Sequence, residues 1–91
     1  PVARDFAFLV DGSVESEALI RAIRGTERDL IAQVDIFDVY TGKGVPEGKK
    51  SVAISVILQP RDKTLTDADL EAVAKKITDT VAAKTGGVLR A

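Results

Sequence analysis

The sequence predicts an α+β fold, a ferredoxin-like βαββαβ sandwich whose four-stranded antiparallel sheet carries two helices on one face. Four short segments show the alternation of apolar and other residues that is typical of strands. Two further segments repeat apolar residues every three or four positions, as amphipathic helices do. The order is strand, helix, strand, strand, helix, strand. Because each helix has a single apolar stripe, both can cover the same face of the sheet, which leaves the other face bare.

The first strand is predicted over about residues 4–10, where every second residue is large and apolar. A helix over about 14–24 follows it. Ser13 is the predicted N-cap, because a serine hydroxyl accepts a hydrogen bond from a free backbone N–H of the first turn. Gly25 suits the left-handed position that ends a helix, where glycine carries no steric penalty.

The second strand is predicted over about residues 33–40, and its alternation slips in the middle. Two adjacent residues, Ile36 and Phe37, both suit the same apolar face. A β-bulge between them would restore the alternation and turn Asp38 and Tyr40 to the bare face of the sheet.

The third strand, over about 51–59, has one apolar face and one face of mostly small residues. Thr66 and Asp69 have the spacing of a capping box, so the second helix is predicted to begin directly after Thr66. The glycines at 86–87 end that helix, and residues 88–90 form a short last strand. The carboxylates of its first turns are interpreted as partners of the helix N-terminus and not as a catalytic cluster; they are Asp67, Asp69 and Glu71.

Length and composition limit the function. The 91 residues make one domain, and the hydrophobic content of 45% excludes a disordered chain. Neither Cys nor His is present, which excludes disulfides, thiolate metal sites and the commonest general base. We therefore expect no catalytic residue and no metal site. No segment has the length of a membrane span and no signal segment is recognisable, so we expect a soluble, cytoplasmic protein.

The chain begins at Pro1 and contains no Met, so we expect residues 1–91 to be a single domain cut from a longer protein. Its net charge is −1. A domain that binds nucleic acid by charge alone is normally strongly basic, so RNA binding here would depend on a local patch.

The segment 41–50 holds three glycines and three lysines between two apolar strands. Exposed backbone and cations at the end of a sheet favour contact with a polyanion. The segment is not a phosphate-binding P-loop, because Gly44-x3-Gly48-Lys49 is one residue too short and a strand follows it. The alternative interpretation is a flexible hairpin connection whose lysines contact only solvent.

Tyr40 is the candidate for base stacking on the bare face, because RNA-recognition folds of this topology place aromatic residues on their central strands. The RNP1 signature of those folds is absent, and an exposed tyrosine at a strand end is the alternative interpretation. Asp5 and Asp38 can approach each other across the sheet. Without a His, a Cys or a conspicuous nucleophile, however, they do not predict acid–base catalysis.

Five short motifs, taken together and with their spacing, closely resemble one family, the ferredoxin-fold anticodon-binding domain at the C-terminus of the bacterial phenylalanyl-tRNA synthetase beta subunit. The motifs are Arg4-Asp5-Phe6-Ala7, Phe37-Asp38-Val39-Tyr40-x-Gly42, Pro46-Glu47-Gly48-Lys49-Lys50-Ser51, Thr64-Leu65-Thr66-Asp67 and Leu89-Arg90. The family often has Arg where this chain has Lys63, and a lysine cannot make the bidentate phosphate contact that an arginine makes. It often has an aliphatic residue at Phe6, which concerns only the core.

The resemblance implies a cytoplasmic parent enzyme, a phenylalanine–tRNA ligase that attaches phenylalanine to tRNA with ATP and Mg²⁺. In the family that enzyme is a tetramer of two alpha and two beta subunits, with the aminoacylation site in the alpha subunit. The domain itself is therefore expected to be non-catalytic and to hold no cofactor. Its implied partner is the anticodon stem-loop of tRNA-Phe, and no DNA or membrane partner is expected.

Two hypotheses of different classes follow. In the first, the domain binds RNA: cations contact phosphates, Tyr40 stacks on an anticodon-loop base, and polar groups hydrogen-bond base edges. The candidate RNA-binding residues are Arg4, Asp38, Tyr40, Lys43, Lys49, Lys50 and Ser51. In the second, the domain is an interdomain or subunit assembly module of the same synthetase, since three apolar residues are expected to be exposed in the isolated domain; they are Leu9, Val45 and Ile57. A small-ligand regulatory domain of this topology is a third alternative.

Overall fold

Six elements follow one another in the predicted βαββαβ order in the computed structural model, which describes residues 2–60 and 64–90. The strands are β1 (Val2–Asp11), β2 (Ile31–Tyr40), β3 (Lys49–Leu58) and β4 (Val88–Leu89), and the helices are α1 (Ser16–Arg24) and α2 (Asp67–Thr85). All strand pairs are antiparallel, in the order β2-β3-β1-β4. The predicted fold class is confirmed. The contact considered at Lys63 lies outside the described residues.

The central strands β1 and β3 pair from Val2 opposite Leu58 to Asp11 opposite Lys49. Side chains alternate between the two faces of a strand, so the even-numbered residues of both strands point toward the helices. With both helices and Val34 of β2 they form one core, whose further members are Phe6, Phe8, Val10, Leu19, Ile23, Val52, Ile54, Val56, Leu58, Val73, Ile77 and Val81. Within the described ranges, no helix combines the length and the apolar character that a membrane span requires.

The bulge predicted in β2 is confirmed. The pairing with β3 shifts between Ile36 and Asp38, which leaves Phe37 as the extra residue. Asp38 then lies opposite Ala53, and Tyr40 follows on the same face. A second shift, at residue 32, was not predicted. The bulge places the polar residues of β2 on the face away from the helices.

The start of α1 differs from the prediction, and Ser13 as N-cap is wrong. The helix begins at Ser16, with Glu15 in the N-cap position and no side-chain cap. The chain turns first, because the Val14 N–H donates to the backbone oxygen of Asp11 at 3.0 Å. This turn lets Val14 pack against the core before the helix starts. The apolar contact of Val14, a partly buried residue, takes the place of a serine cap worth about 1 kcal/mol.

The helix ends at Arg24 as predicted, but a left-handed Gly25 is wrong: its φ is −71°, in the right-handed region. Thr26 caps the helix instead. Its buried hydroxyl donates to the Ile23 carbonyl oxygen at 2.6 Å, and its N–H donates to the same oxygen at 3.1 Å. The last carbonyl oxygens of a helix have no partner within the helix, and a left-handed glycine commonly helps to satisfy them. Here Thr26 satisfies the carbonyl oxygen of Ile23.

The boundaries of α2 follow the prediction. The Asp69 N–H donates to Thr66 Oγ1 at 3.2 Å, and the Thr66 N–H donates to Asp69 Oδ2 at 3.0 Å, which is a complete capping box. Gly86 ends the helix with a φ of 73°, a left-handed value that glycine adopts without strain.

Gly87 lies buried between β1 and α2, and we expect Gly87→Ala to destabilise the domain by about 1–3 kcal/mol through overpacking. A Cβ at this position would lie 2.8 Å from Val10 Cγ1 and 2.9 Å from Val81 Cγ1. The free energy of unfolding in urea measures the loss. Gly86→Ala is the matched control. Its loss of stability would come from the positive φ of residue 86 alone, because no atom lies within 4 Å of a Cβ added there. A double-mutant cycle should show that Val81→Ala relieves the first substitution and not the second; no coupling would contradict a steric cause.

Candidate nucleic-acid interface

The face of the sheet opposite the helices, here called the open face, is formed by alternate strand residues arranged in rows across β2, β3 and β1. Both helices pack against the other face. Beyond β4, the Arg90 N–H donates to the Ala7 oxygen at 2.6 Å, which extends one row. The open face consists of Ala3, Asp5, Ala7, Leu9, Asp11, Gln33, Asp35, Asp38, Tyr40, Lys49, Ser51, Ala53, Ser55, Ile57, Val88 and Arg90.

Tyr40 lies at the end of β2 on the open face, with 42% of its surface exposed. Its hydroxyl donates to the Lys43 carbonyl oxygen at 2.9 Å, which ties the ring to the following loop. Ser51 lies opposite Tyr40 in the pairing and retains only 8% exposure. The aromatic ring is therefore accessible and oriented, whereas the serine hydroxyl has little room for a partner.

The loop that joins β2 to β3, residues 41–48, is held by its own hydrogen bonds. The Val45 N–H donates to the Gly42 oxygen at 3.0 Å, and the Gly12 N–H of the β1–α1 connection donates to the Gly48 oxygen at 2.8 Å. A cavity of about 530 Å³ lies between this loop and the end of β1. The loop thus presents Lys43 from a frame that the Gly12–Gly48 hydrogen bond anchors to the end of β1.

The seven predicted RNA-binding residues lie on two sides of the sheet. Lys50 points to the helix side, where its Nζ donates to the Val14 carbonyl oxygen at 2.6 Å. Arg4 lies opposite Val56, whose side chain is in the core, so it also belongs to the helix side. The open face and its loop hold the other five, which are Asp38, Tyr40, Lys43, Lys49 and Ser51.

Charge is graded along the open face. At the loop end, Lys49 Nζ lies 2.6 Å from Asp11 Oδ1, in an ion pair that is largely exposed. Toward the other end lie carboxylates: Asp5 and Asp35 share one row on either side of β3. Asp38 lies opposite Ala53, one row nearer the loop. Asp5 therefore shares its row with Asp35 and not with Asp38, the residue that the sequence suggested. A polyanion would approach the loop end most favourably.

Arg90 is a cation that the sequence analysis did not assign to the site. Its Nη2 lies 3.6 Å from the position that a Cβ on Gly44 would occupy, so its guanidinium reaches the β2–β3 loop. The signal was available, because antiparallel pairing of the last strand with β1 places residue 90 on the open face. Together with Lys43, it adds positive charge beside Tyr40.

The three apolar residues expected to be exposed are instead half-buried; these are Leu9, Val45 and Ile57. The exposed large apolar side chains of β2 are different ones. Phe37 is 60% exposed at the bulge and Val39 is 48% exposed near the end of the strand. Both lie on the edge strand of the sheet, Phe37 as the extra residue of the bulge and Val39 opposite Val52, which places Val39 on the helix side.

Comparisons with known proteins show the family of this chain. The family model of the ferredoxin-fold anticodon-binding domain matches residues 1–90. The chain is 56% identical over 91 residues to the phenylalanine–tRNA ligase beta subunit of Bradyrhizobium diazoefficiens and 58% identical over 90 residues to that of Rhodopseudomonas palustris. These alignments cover 100% and 99% of the chain but 11% of each relative, so the chain spans about a tenth of their length. The chain belongs to the ferredoxin-fold anticodon-binding domain family.

Proposed function

We propose that this domain binds the anticodon stem-loop of tRNA-Phe through its open face, as part of a phenylalanine–tRNA ligase. The observation that carries the proposal is the accessible ring of Tyr40 at the same end of the open face as the side chains of Lys43, Lys49 and Arg90, on a sheet face that the helices leave free. Exposed aromatic rings on a sheet are stacking platforms for unpaired bases, and neighbouring cations contact the phosphates between them.

Base contact is assigned to Tyr40 and Asp38. The hydrogen bond from Tyr40 to the loop orders the ring before RNA arrives, so less conformational entropy is lost on stacking. Asp38 lies on the same strand and face. Its carboxylate is an acceptor, so it selects base edges that present N–H donors. Ser51 contributes at most through the small part of its surface that stays accessible.

Phosphate contact is assigned to Lys43, Lys49 and Arg90, which surround the loop end of the open face. The carboxylates further along the sheet repel phosphates. This gradient would hold the RNA backbone near the loop and direct the bases toward Asp38. Lys50 and Arg4 point away from this surface, so the proposal does not depend on them.

The proposal extends to the parent protein. There, ATP and Mg²⁺ serve aminoacylation in an alpha subunit, and two alpha and two beta subunits assemble in the cytoplasm. This domain supplies RNA binding and no catalytic group. The names of the relatives, which are beta subunits of phenylalanine–tRNA ligases, support this assignment.

We expect Lys43→Ala to weaken binding of the anticodon stem-loop and to reduce the slope of log K against log salt by about 0.7–0.9, the contribution of one released phosphate contact. Fluorescence anisotropy of labelled RNA over a series of salt concentrations measures both. Lys75→Ala removes the same charge from the exposed side of α2, where Lys75 pairs with Asp79, and should leave the slope unchanged. A slope that is the same for both variants would remove the phosphate role of Lys43.

The second candidate function is assembly with other parts of the same synthetase. The exposed apolar pair Phe37 and Val39 on the edge strand favours it, because edge strands and apolar surface are common docking elements. If assembly is the function, changes at Phe37 weaken association in the parent enzyme and leave RNA affinity unchanged. If RNA recognition is the function, changes at Tyr40 lower RNA affinity and leave association in the parent enzyme unchanged.

A further inference from the structure

A cationic groove lies between α1 and α2, on the opposite side of the domain from the open face. It encloses about 570 Å³ and is called here the helix groove. An adjoining cavity of about 390 Å³ continues it past the end of α1. The cations that line the two cavities are Arg21, Arg24, Arg28, Lys76 and Lys84.

Only part of this charge is neutralised by the domain itself. Arg21 pairs with Glu17 at 3.3 Å, and Lys76 pairs with Glu27 at 3.0 Å. Of the five groove cations, Arg24, Arg28 and Lys84 form no ion pair within residues 2–60 and 64–90. The helix groove therefore keeps a positive excess in a chain whose net charge is −1.

Interaction with the ends of the helices explains the positions of some of these cations, but it does not explain why all five line the same groove. Arg24 and Lys84 lie in the last turns of their helices, where a cation favours the negative end of the helix dipole. Arg28 lies beyond α1, and Lys76 lies in the middle of α2. Thr80, a half-buried residue, also lines this cavity, and its hydroxyl has no hydrogen-bond partner among the described residues.

The shape of the helix groove suits an extended chain. Beside Arg21, the groove is lined by residues with small side chains or none, at Ala18, Ala22 and Gly25, so a backbone can approach closely there. Lys76 and Lys84 are eight residues apart on α2, which corresponds to about 12 Å along the helix. Four residues of an extended chain span about 13 Å. Acidic side chains at alternate positions of an extended segment would therefore match the two lysines.

We propose that the helix groove binds an extended acidic segment of a protein, with carboxylates at alternate positions held by Arg28, Lys76 and Lys84. Glu17 and Glu27 border the groove and would repel a backbone charged at every nucleotide, whereas a peptide can place neutral residues there. Among the described residues that line the groove, none has an aromatic side chain to stack a base. The groove and the open face lie on opposite sides, so RNA on one leaves the other free.

The test titrates the isotopically labelled 91-residue chain by NMR with a capped decapeptide of alternating Glu and Ser. We expect shift changes at Gly25, Thr26 and Thr80, and none at Tyr40. The variants Arg28→Glu and Lys84→Glu should each weaken binding at least fivefold. Lys75→Glu reverses a charge outside the groove and should change it less than twofold. Thermal melting checks folding, and Arg28→Gln and Lys84→Gln replace any variant that unfolds.

Three outcomes overturn the proposal. One is binding of the matched Gln-Ser decapeptide with equal affinity, because charge would then not matter. Another is the absence of shift changes in the groove at millimolar acidic peptide. The last is stronger binding of decauridylate at the same residues, which would make the groove a second RNA site. Because the open face takes no part, failure here leaves the anticodon proposal standing, and loss of RNA binding at Tyr40 leaves the groove standing.

Discussion

Replacing Tyr40 with alanine is expected to weaken binding of the tRNA-Phe anticodon stem-loop by roughly 5- to 150-fold, because stacking on one base contributes about 1–3 kcal/mol. The ring of Tyr40 is accessible. The alternation of side chains along β2, together with the bulge, places it on the open face. Anisotropy titration of labelled stem-loop RNA at fixed salt measures the affinity. The weak binding expected of a domain with a net charge of −1 requires low ionic strength.

Two further variants separate stacking from other causes. Tyr40→Phe keeps the ring and removes the hydrogen bond to the Lys43 oxygen, so we expect a loss of less than about tenfold, corresponding to one neutral hydrogen bond. Phe37→Ala removes the exposed ring at the bulge and should not change RNA affinity. If Tyr40→Ala binds as tightly as the original chain, the open face is not the site of base recognition. If Phe37→Ala alone disrupts the parent assembly, the assembly function is favoured.

Replacing Phe8 with alanine is expected to destabilise the domain by about 3–5 kcal/mol, the range for an aromatic residue removed from a core. Phe8 is completely buried in β1, and its ring stacks on Phe6 with centroids 5.8 Å apart. Small domains are stable by only about 5–15 kcal/mol. The variant should therefore unfold at a much lower urea concentration, followed by circular dichroism.

The matched control is Leu89→Ala in β4. Leu89 lies directly opposite Phe8 in the sheet but is 41% exposed. Its truncation should cost less than about 1.5 kcal/mol, because about two fifths of its surface stays in contact with water and the deletion leaves no enclosed cavity. Equal losses for the two variants would show that the β1–β4 edge, and not the packing beneath β1, limits stability.

Local patterns in the sequence predicted the fold class, because each element carries its own periodicity and its own end signals. The β2 bulge followed from two adjacent apolar residues, Ile36 and Phe37. The capping box of α2 followed from Thr66 and Asp69, whose side chains lie close because they are three residues apart on one helical turn. These features depend on neighbours along the chain.

The two capping roles predicted for α1 were wrong for the complementary reason. Ser13 and Gly25 have strong local preferences, but Val14 packs against the core ahead of the helix and the buried Thr26 hydroxyl donates to the Ile23 carbonyl oxygen. The energy of burial depends on what lies across the core, and that information is absent from a window of a few residues.

The candidate site divides in the same way. Sequence alone determined that a tyrosine and a lysine-rich loop follow one apolar strand and precede another, and it identified the family motifs. Only the tertiary structure decided that Lys49 and Lys50 serve opposite sides of the sheet, that Arg90 reaches the loop, and that cations gather between the helices. The physical reason is that charge acts through space: its effect depends on which side chains the packing of distant segments brings within reach.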